Sequence, residues 1–264
     1  MHALRTRFKK DIVAEFLPAL LARRSHAKVG SSSKGHRHKS NKVLILCSGM
    51  PSVPSKGPLL EFLAKKGYWV FYPRYRGTWE SSGSFLRYPL DKDVLDIIDE
   101  IPGGFKDAYS GKKYRIKHPE IYLVGSSFGG PAAILASRDQ RVKKAILISA
   151  IVDWTVPSRV ERLSLVWKFW REAFGEAIRF SKKDWDKLEG GNFYNPVRHI
   201  HEIDGKKLFF IHAKDDRIVT YGPVAKFAKK VGAPILSLKT GGHFGLGILT
   251  KPAIYKKIRK FLAS

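Results

Sequence analysis

The sequence predicts an α/β fold: a mostly parallel sheet flanked by helices, with a helical cap inserted past the middle of the chain. Three observations carry this. Short, nearly continuous apolar runs recur along the chain, as strands buried on both faces require. Stretches with helical spacing lie between them. The alternation fails once, between about Asp153 and Gly205, where helical spacing in "RVERLSLVWKFWREAFG" and the tryptophans Trp154, Trp167, Trp170 and Trp185 replace it.

Taken in order, "FKKDIVAEFLP" fits an edge strand or a short amphipathic helix, and periodicity does not choose between them. Pro18 and a Gly/Ser/His/Lys-rich stretch from Lys28 to Asn41 mark a loop or linker. "KVLILC" (42–47) is a buried-strand run, and "GPLLEFLAKKG" (57–67) a helix closed by glycine. "YWVFYPRYRG" (68–77) is a second strand followed by a polar loop, and "LDKDVLDIIDEI" (90–101) has helical spacing. "EIYLVG" is a third strand, leading into a helix from Phe128 to about Ser137. "KKAILISA" (143–150), "KKLFFIHA" (206–213) and "APILSLK" (233–239) complete the strands, with helices expected at about 221–231 and 251–262. The division that follows is an N-terminal segment with basic linker (1–41), a core (42–152 and 206–264) and a helical cap (153–205). The cap tryptophans either pack it onto the sheet or contact a ligand.

Composition narrows the function classes. At 264 residues, 44% hydrophobic, the chain can bury one large core. A single cysteine, Cys47, excludes an intramolecular disulfide and suits a reducing cytoplasm. No apolar run reaches membrane-spanning length, and the N-terminal stretch has charges inside its apolar part, so neither a membrane span nor a secretory signal is expected. The net charge is +26, from 49 Lys and Arg against 23 Asp and Glu. The basic doublets are scattered over expected element ends, without a nucleic-acid-binding motif, and read as a solvated basic surface. His36 with His38, and His199 with His201, lack the cysteine or carboxylate company of a metal site. No metal and no cofactor are expected.

The chemistry concentrates where the third strand ends. In Gly125-Ser126-Ser127-Phe128-Gly129, glycines stand two residues either side of Ser127, so a tight strand-to-helix turn can present that hydroxyl clear of the backbone. Ligands gather at the carboxyl ends of strands in open parallel sheets. "HAKDDRIV" puts Asp215 and Asp216 at such an end, and "TGGHFGLG" puts His243 at the next. A serine hydroxyl becomes nucleophilic when a neutral imidazole takes its proton and a carboxylate fixes the imidazole tautomer. Ser127, Asp216 and His243 are the candidate set, while His212, on an apolar strand, reads as a core residue.

On these motifs the chain, from about residue 42 to its end, resembles the α/β-hydrolase fold family of serine hydrolases. The glycine-flanked serine matches the family's nucleophile elbow. The resemblance selects Asp216 over Asp215, because the family's acid lies three residues before a valine, here Val219. "GGHF" matches the histidine loop, and "YRGTWESSG" is similar to an Arg-Gly-x-Gly-x-Ser loop, with Trp79 in place of the second glycine. Ser48-Gly49-Met50-Pro51 stands where a His-Gly pair is common. The resemblance implies backbone N–H donors at Phe128 and Met50 for an oxyanion. Trp79, Glu80, Trp154 and Trp167 are candidate substrate contacts. The expected activity is hydrolysis of a carboxylic ester through an acyl-enzyme, in the cytoplasm, with a small ester or short peptide as substrate and with neither a specific nucleic acid nor a membrane as partner. A serine peptidase of the same fold, an acyltransferase and a binding protein that keeps the fold are the alternatives.

Overall fold

The computed structural model describes residues 2–20, 40–158, 160 and 162–264. Most of the expected 28–41 linker, with His36 and His38, lies outside the described residues. Ten strands are described: β1 (Leu4–Phe8), β2 (Ile12–Leu17), β3 (Lys42–Cys47), β4 (Trp69–Pro73), β5 (Phe105–Lys106), β6 (Lys113–Tyr114), β7 (Glu120–Ser126), β8 (Val142–Ile148), β9 (Leu208–Ala213) and β10 (Ile235–Leu238). Seven α-helices accompany them: α1 (Gly57–Lys65), α2 (Leu90–Glu100), α3 (Gly130–Ala136), α4 (Leu163–Phe174), α5 (Lys182–Asp186), α6 (Tyr221–Val231) and α7 (Pro252–Ala263). Eight strands form one sheet in the order β1-β2-β4-β3-β7-β8-β9-β10, and β5 with β6 forms a separate ribbon. From β4 to β10 every pairing in the large sheet is parallel.

Successive side chains of a strand point to opposite faces, and β3 shows what that does with a continuous apolar run. Val43, Ile45 and Cys47 enter one core with α2, α3 and α6, whereas Leu44 and Leu46 enter the other with α1 and α7. Each such aliphatic side chain stabilises the fold by roughly 1.5–3 kcal/mol. The two faces therefore hold the parallel strands, and with them the strand ends that carry the chemistry, in one frame.

The N-terminal segment resolves the open choice between strand and helix. β1 and β2 form an antiparallel hairpin, and β2 adds antiparallel to β4. Phe8, Phe16, Phe71 and Phe105 pack with ring centroids 5.2–6.0 Å apart. Buried Glu15 on β2 accepts from Arg74 at 3.1 Å, and Arg76 reaches Asp11, Asp93 and Asp96 together. β1 is the outermost strand of the sheet. Its Arg5 N–H donates to Asp107 Oδ1 (3.1 Å) and its Arg5 carbonyl accepts from Ala108 N (2.7 Å), both on the turn beside β5.

Between β8 and β9 the chain carries α4, α5 and a 3₁₀ stretch over Pro196–Glu202. The loop after β4 grips this segment. Thr78 forms a bridge with Ile178, Trp79 N donates to Ala177 O (2.8 Å), and Arg179 exchanges backbone bonds with Gly77 and Phe85 (2.7 Å each). No described helix is long and apolar enough to cross a membrane.

Gly129 shows how tightly the turn after β7 is packed. A Cβ there would be driven into the carbonyl oxygens of Cys47 and Ser48 at the end of β3. Overpacking of this kind costs about 1–3 kcal/mol. We expect Gly129→Ala to lower the urea midpoint accordingly; an unchanged midpoint would mean that β3 and the turn separate freely.

Candidate active site

β7 ends at Ser126, and a 3₁₀ turn over Ser127–Gly129 passes directly into α3. Ser127 has φ +49°, in the left-handed region that L side chains seldom occupy. The turn survives because its neighbours leave room for it. A Cβ on Gly125 would lie 2.7 Å from Ala133 Cβ and 2.8 Å from Gly129 O. Ser126 turns inward instead, and its buried Oγ accepts from Gly49 N at 3.0 Å.

Asp216 follows β9 and is almost wholly buried. Its Oδ2 lies 2.9 Å from His243 Nδ1, and its Oδ1 accepts from the backbone N–H of Ile218 (2.9 Å) and Val219 (3.0 Å). Burial alone would raise this carboxyl. Hydrogen bonds from His212 and His243, with the attraction of His243, hold it well below the usual carboxylate range. Asp215 is exposed and turns to the histidine loop, accepting from Gly241 N (3.1 Å) and Gly242 N (2.9 Å). Those backbone bonds lower its carboxyl in turn, that of Gly242 most.

The loop after β8 joins the two halves of the site. Phe244 N donates to Ser149 Oγ (3.0 Å), and two residues on, Ile151 N donates to the Ser127 carbonyl (3.2 Å). The serine and the His243–Asp216 pair therefore share one end of the sheet, although the Ser127 hydroxyl makes no hydrogen bond among the described residues. Such bonds tighten when substrate binds.

Ser127, Met50 and Phe128 open onto a cavity of about 420 Å³. Its floor is aromatic. The Phe128 ring lies 4.8 Å from Trp154, 5.5 Å from Trp170 and 6.2 Å from Trp185, centroid to centroid. Trp154 is thus a lining residue, with its Nε1 donating to Tyr194 O at 2.7 Å. The other three expected contacts lie outside the cavity lining. Trp79 Nε1 donates to Ser52 O (3.0 Å), bracing the loop that carries Met50. Glu80 is taken by Arg5 and Arg74 (2.8 Å each), the pair that anchors the N-terminal hairpin. Trp167 packs at the edge of the core, beneath the cations of Arg171 and Lys182. The same loop from Ser48 to Pro54 is also held by Tyr75 Oη on Ser48 O (3.1 Å) and Tyr72 Oη on Val53 O (2.8 Å). The tyrosines of "YWVFYPRY" were visible in the sequence, but their partners were not.

Cys47 is buried, which pushes its thiol far above the ordinary range. His199 pairs with Glu202 at 2.8 Å. Among the described residues no group of three or more His, Cys, Asp or Glu could hold a metal ion.

Residues 58–251 match the prolyl oligopeptidase family. The chain belongs to that family. As a member of the prolyl oligopeptidase family it is a serine hydrolase, and its fold is the α/β-hydrolase fold. An esterase from Pyrococcus furiosus superposes with a TM-score of 0.63 at 17% identity, covering 99% of this chain and 89% of that one. The acylaminoacyl peptidase of Pyrococcus horikoshii gives 0.61 at 18% identity over 99% of this chain. This prolyl oligopeptidase family member spans only 41% of that peptidase's length. An esterase from Exiguobacterium antarcticum gives 0.56 at 13% identity, with both chains covered in full. No curated protein matches the chain in sequence.

Proposed function

We propose that the protein hydrolyses carboxylic esters through an acyl-enzyme on Ser127. His243 Nε2 takes the Ser127 proton as Oγ attacks the ester carbonyl, and the backbone N–H groups of Met50 and Phe128 receive the developing oxyanion. The same imidazole then passes its proton to the departing alkoxide as the ester C–O bond breaks. Water, deprotonated by His243, repeats the attack on the acyl-enzyme, and Ser127 recovers its proton as the acid leaves. Asp216 orients His243 throughout. The observation that carries this reading is Ser127 at the mouth of an aromatic cavity, on the same end of the sheet as a histidine whose Nδ1 is bonded to a buried carboxylate. The segment 153–205 acts as the cap, since α4 supplies Leu163, Val166 and Trp170 to the cavity wall. The single cysteine, buried in β3, accords with work in a reducing cytoplasm.

The test is fluorophosphonate labelling followed by a panel of p-nitrophenyl esters and aminoacyl amides. An apolar floor favours short to medium acyl chains over charged ones. One methylene in such a pocket is worth roughly 1–3 kcal/mol, so kcat/KM should climb about tenfold or more along the acyl series until the cavity is filled. A flat series would remove the cavity from the reading.

A peptidase reading has one observation in its favour. Asp153 and Glu189 line the cavity. Burial works to raise the Asp153 carboxyl, but hydrogen bonds from Thr155 and Asn195 keep it below the ordinary range, so an ionised group is available to a peptide amine. Cleavage of aminoacyl amides with no ester turnover would establish that reading instead.

The charge of +26 is a solvated surface on this account, with no specific nucleic-acid partner. Neutral-ester turnover should then stay nearly constant between ~50 and ~500 mM salt, a range over which phosphate-backbone binding collapses. Nanomolar binding to one nucleic-acid sequence at physiological salt would overturn it.

A further inference from the structure

Behind the acid lies a second histidine that the reaction as written does not use. His212, the penultimate residue of β9, is wholly buried. Its Nε2 stands 2.7 Å from the Val219 carbonyl oxygen and 3.3 Å from Asp216 Oδ2. A carbonyl can only accept, so Nε2 carries a proton. Nδ1 is buried without a hydrogen-bond partner among the described residues. On a strand whose neighbours Ile211 and Phe210 are also fully buried, an aliphatic side chain would avoid the cost of the unpaired nitrogen. What the imidazole offers and an aliphatic lacks is the Nε2–H.

That donor lies between two acceptors, the Val219 carbonyl at 2.7 Å and Asp216 Oδ2 at 3.3 Å, and the other positions of the carboxylate are filled. Asp216 Oδ1 takes two backbone N–H groups, Oδ2 lies 2.9 Å from His243 Nδ1, and His212 Nε2 stands 3.3 Å from that same oxygen. We propose that His212 is a positioning residue for catalysis, whose Nε2–H holds Asp216 in the one orientation that meets His243 and shares the carboxylate charge between two imidazoles. The inference rests on the Ser127–His243–Asp216 reading above.

The sign of its effect follows from that sharing. Without the His212 donor, more of the carboxylate charge faces His243, which stabilises the imidazolium form. The neutral base is then reached only at higher pH. The other titratable neighbours do not supply a substitute. Tyr221 of α6 packs its ring on His212 at 6.0 Å, but its hydroxyl is engaged with Ser237. Asp215 faces Gly241 and Gly242, and Lys214, Arg217 and Lys239 are exposed.

The experiment compares kcat and kcat/KM against pH for the wild type, His212→Leu and His212→Gln on one activated ester, with matched circular dichroism and thermal unfolding. His212→Leu should move the acid limb of kcat/KM up by about half a pH unit or more, and lower the plateau kcat about tenfold with KM within about twofold. His212→Gln, whose amide nitrogen reaches the same position as Nε2, should recover most of both. Loss of packing alone would lower thermal stability without moving the limb. An acid limb that stays in place in His212→Leu, or one equally displaced in His212→Gln, overturns the proposal. Should the leucine variant fail to fold, His212→Asn, whose amide falls short of Asp216, takes its place with the same expectations. Ser127→Ala and His243→Ala are assayed alongside. Turnover surviving in them sinks the triad reading and this inference together, whereas dead controls with an unmoved His212→Leu profile sink this inference alone.

Discussion

Ser127→Ala is expected to lose turnover by roughly 10⁶-fold, the scale on which removing the nucleophile of a Ser–His–Asp site acts, while the protein stays folded. The alanine methyl fits the same backbone, and Ser127 Oγ holds nothing in place that the fold needs. Ser126→Ala makes a different comparison. Its hydroxyl is the acceptor for Gly49 N, one residue before the proposed oxyanion donor at Met50. Losing it leaves a part-buried N–H unpaired, at a cost of about 1–3 kcal/mol, and lets the loop shift. A fall of about ten- to a hundredfold in kcat is therefore expected, with KM little changed, still far above Ser127→Ala. Fluorophosphonate labelling mapped by peptide analysis decides between the serines. A label on Ser126, or turnover retained by Ser127→Ala, would remove Ser127 from its role.

Asp216→Asn carries the second largest expected effect, roughly 10⁴-fold in kcat, because an amide lets the histidine settle in the wrong tautomer. Its neighbour makes the sharper control. Asp215 sits one residue away, yet its carboxylate is exposed and bonded to Gly241 and Gly242 rather than to an imidazole. An asparagine there keeps one acceptor oxygen for that loop, so Asp215→Asn should cost about tenfold at most. Purified variants with matched circular dichroism, assayed on one activated ester, separate the two. Equal losses, or the larger loss at Asp215, would overturn the assignment of the acid.

The parallel core was legible because its strands are buried on both faces, which writes them as unbroken apolar runs. "KVLILC" is an example, with β3 occupying Lys42–Cys47. The site was legible for a related reason, since its residues must stand at strand ends and flexible glycines flank two of them. The hairpin of β1 and β2 was not. Its turn places Lys9 at φ +47° and Lys10 at φ +66°, a conformation whose sequence signal is glycine or asparagine. Two lysines hide it. The ion pairs of Glu80 with Arg5 and Arg74 were not legible either, since they join the loop after β4 to the N-terminal hairpin. His212 was expected to be core and is indeed buried. Its 3.3 Å approach to Asp216 depends on how the loop after β9 folds back, and no spacing in "HAKDDRIV" displays that.

The turn beside β5 bears on how copies of this protein behave toward one another. An outermost strand with free N–H and C=O groups is a template on which a second chain can add its own strand. In β1 the outward-facing groups of Arg5 are already spent, on Asp107 Oδ1 and Ala108 N. A chain approaching this edge would have to displace both bonds. Arg5 is held by Glu80, and the exposed Arg7 beside it presents the same positive charge to every copy that arrives. At Arg5, therefore, this edge of the sheet offers an approaching strand no free backbone pair to join.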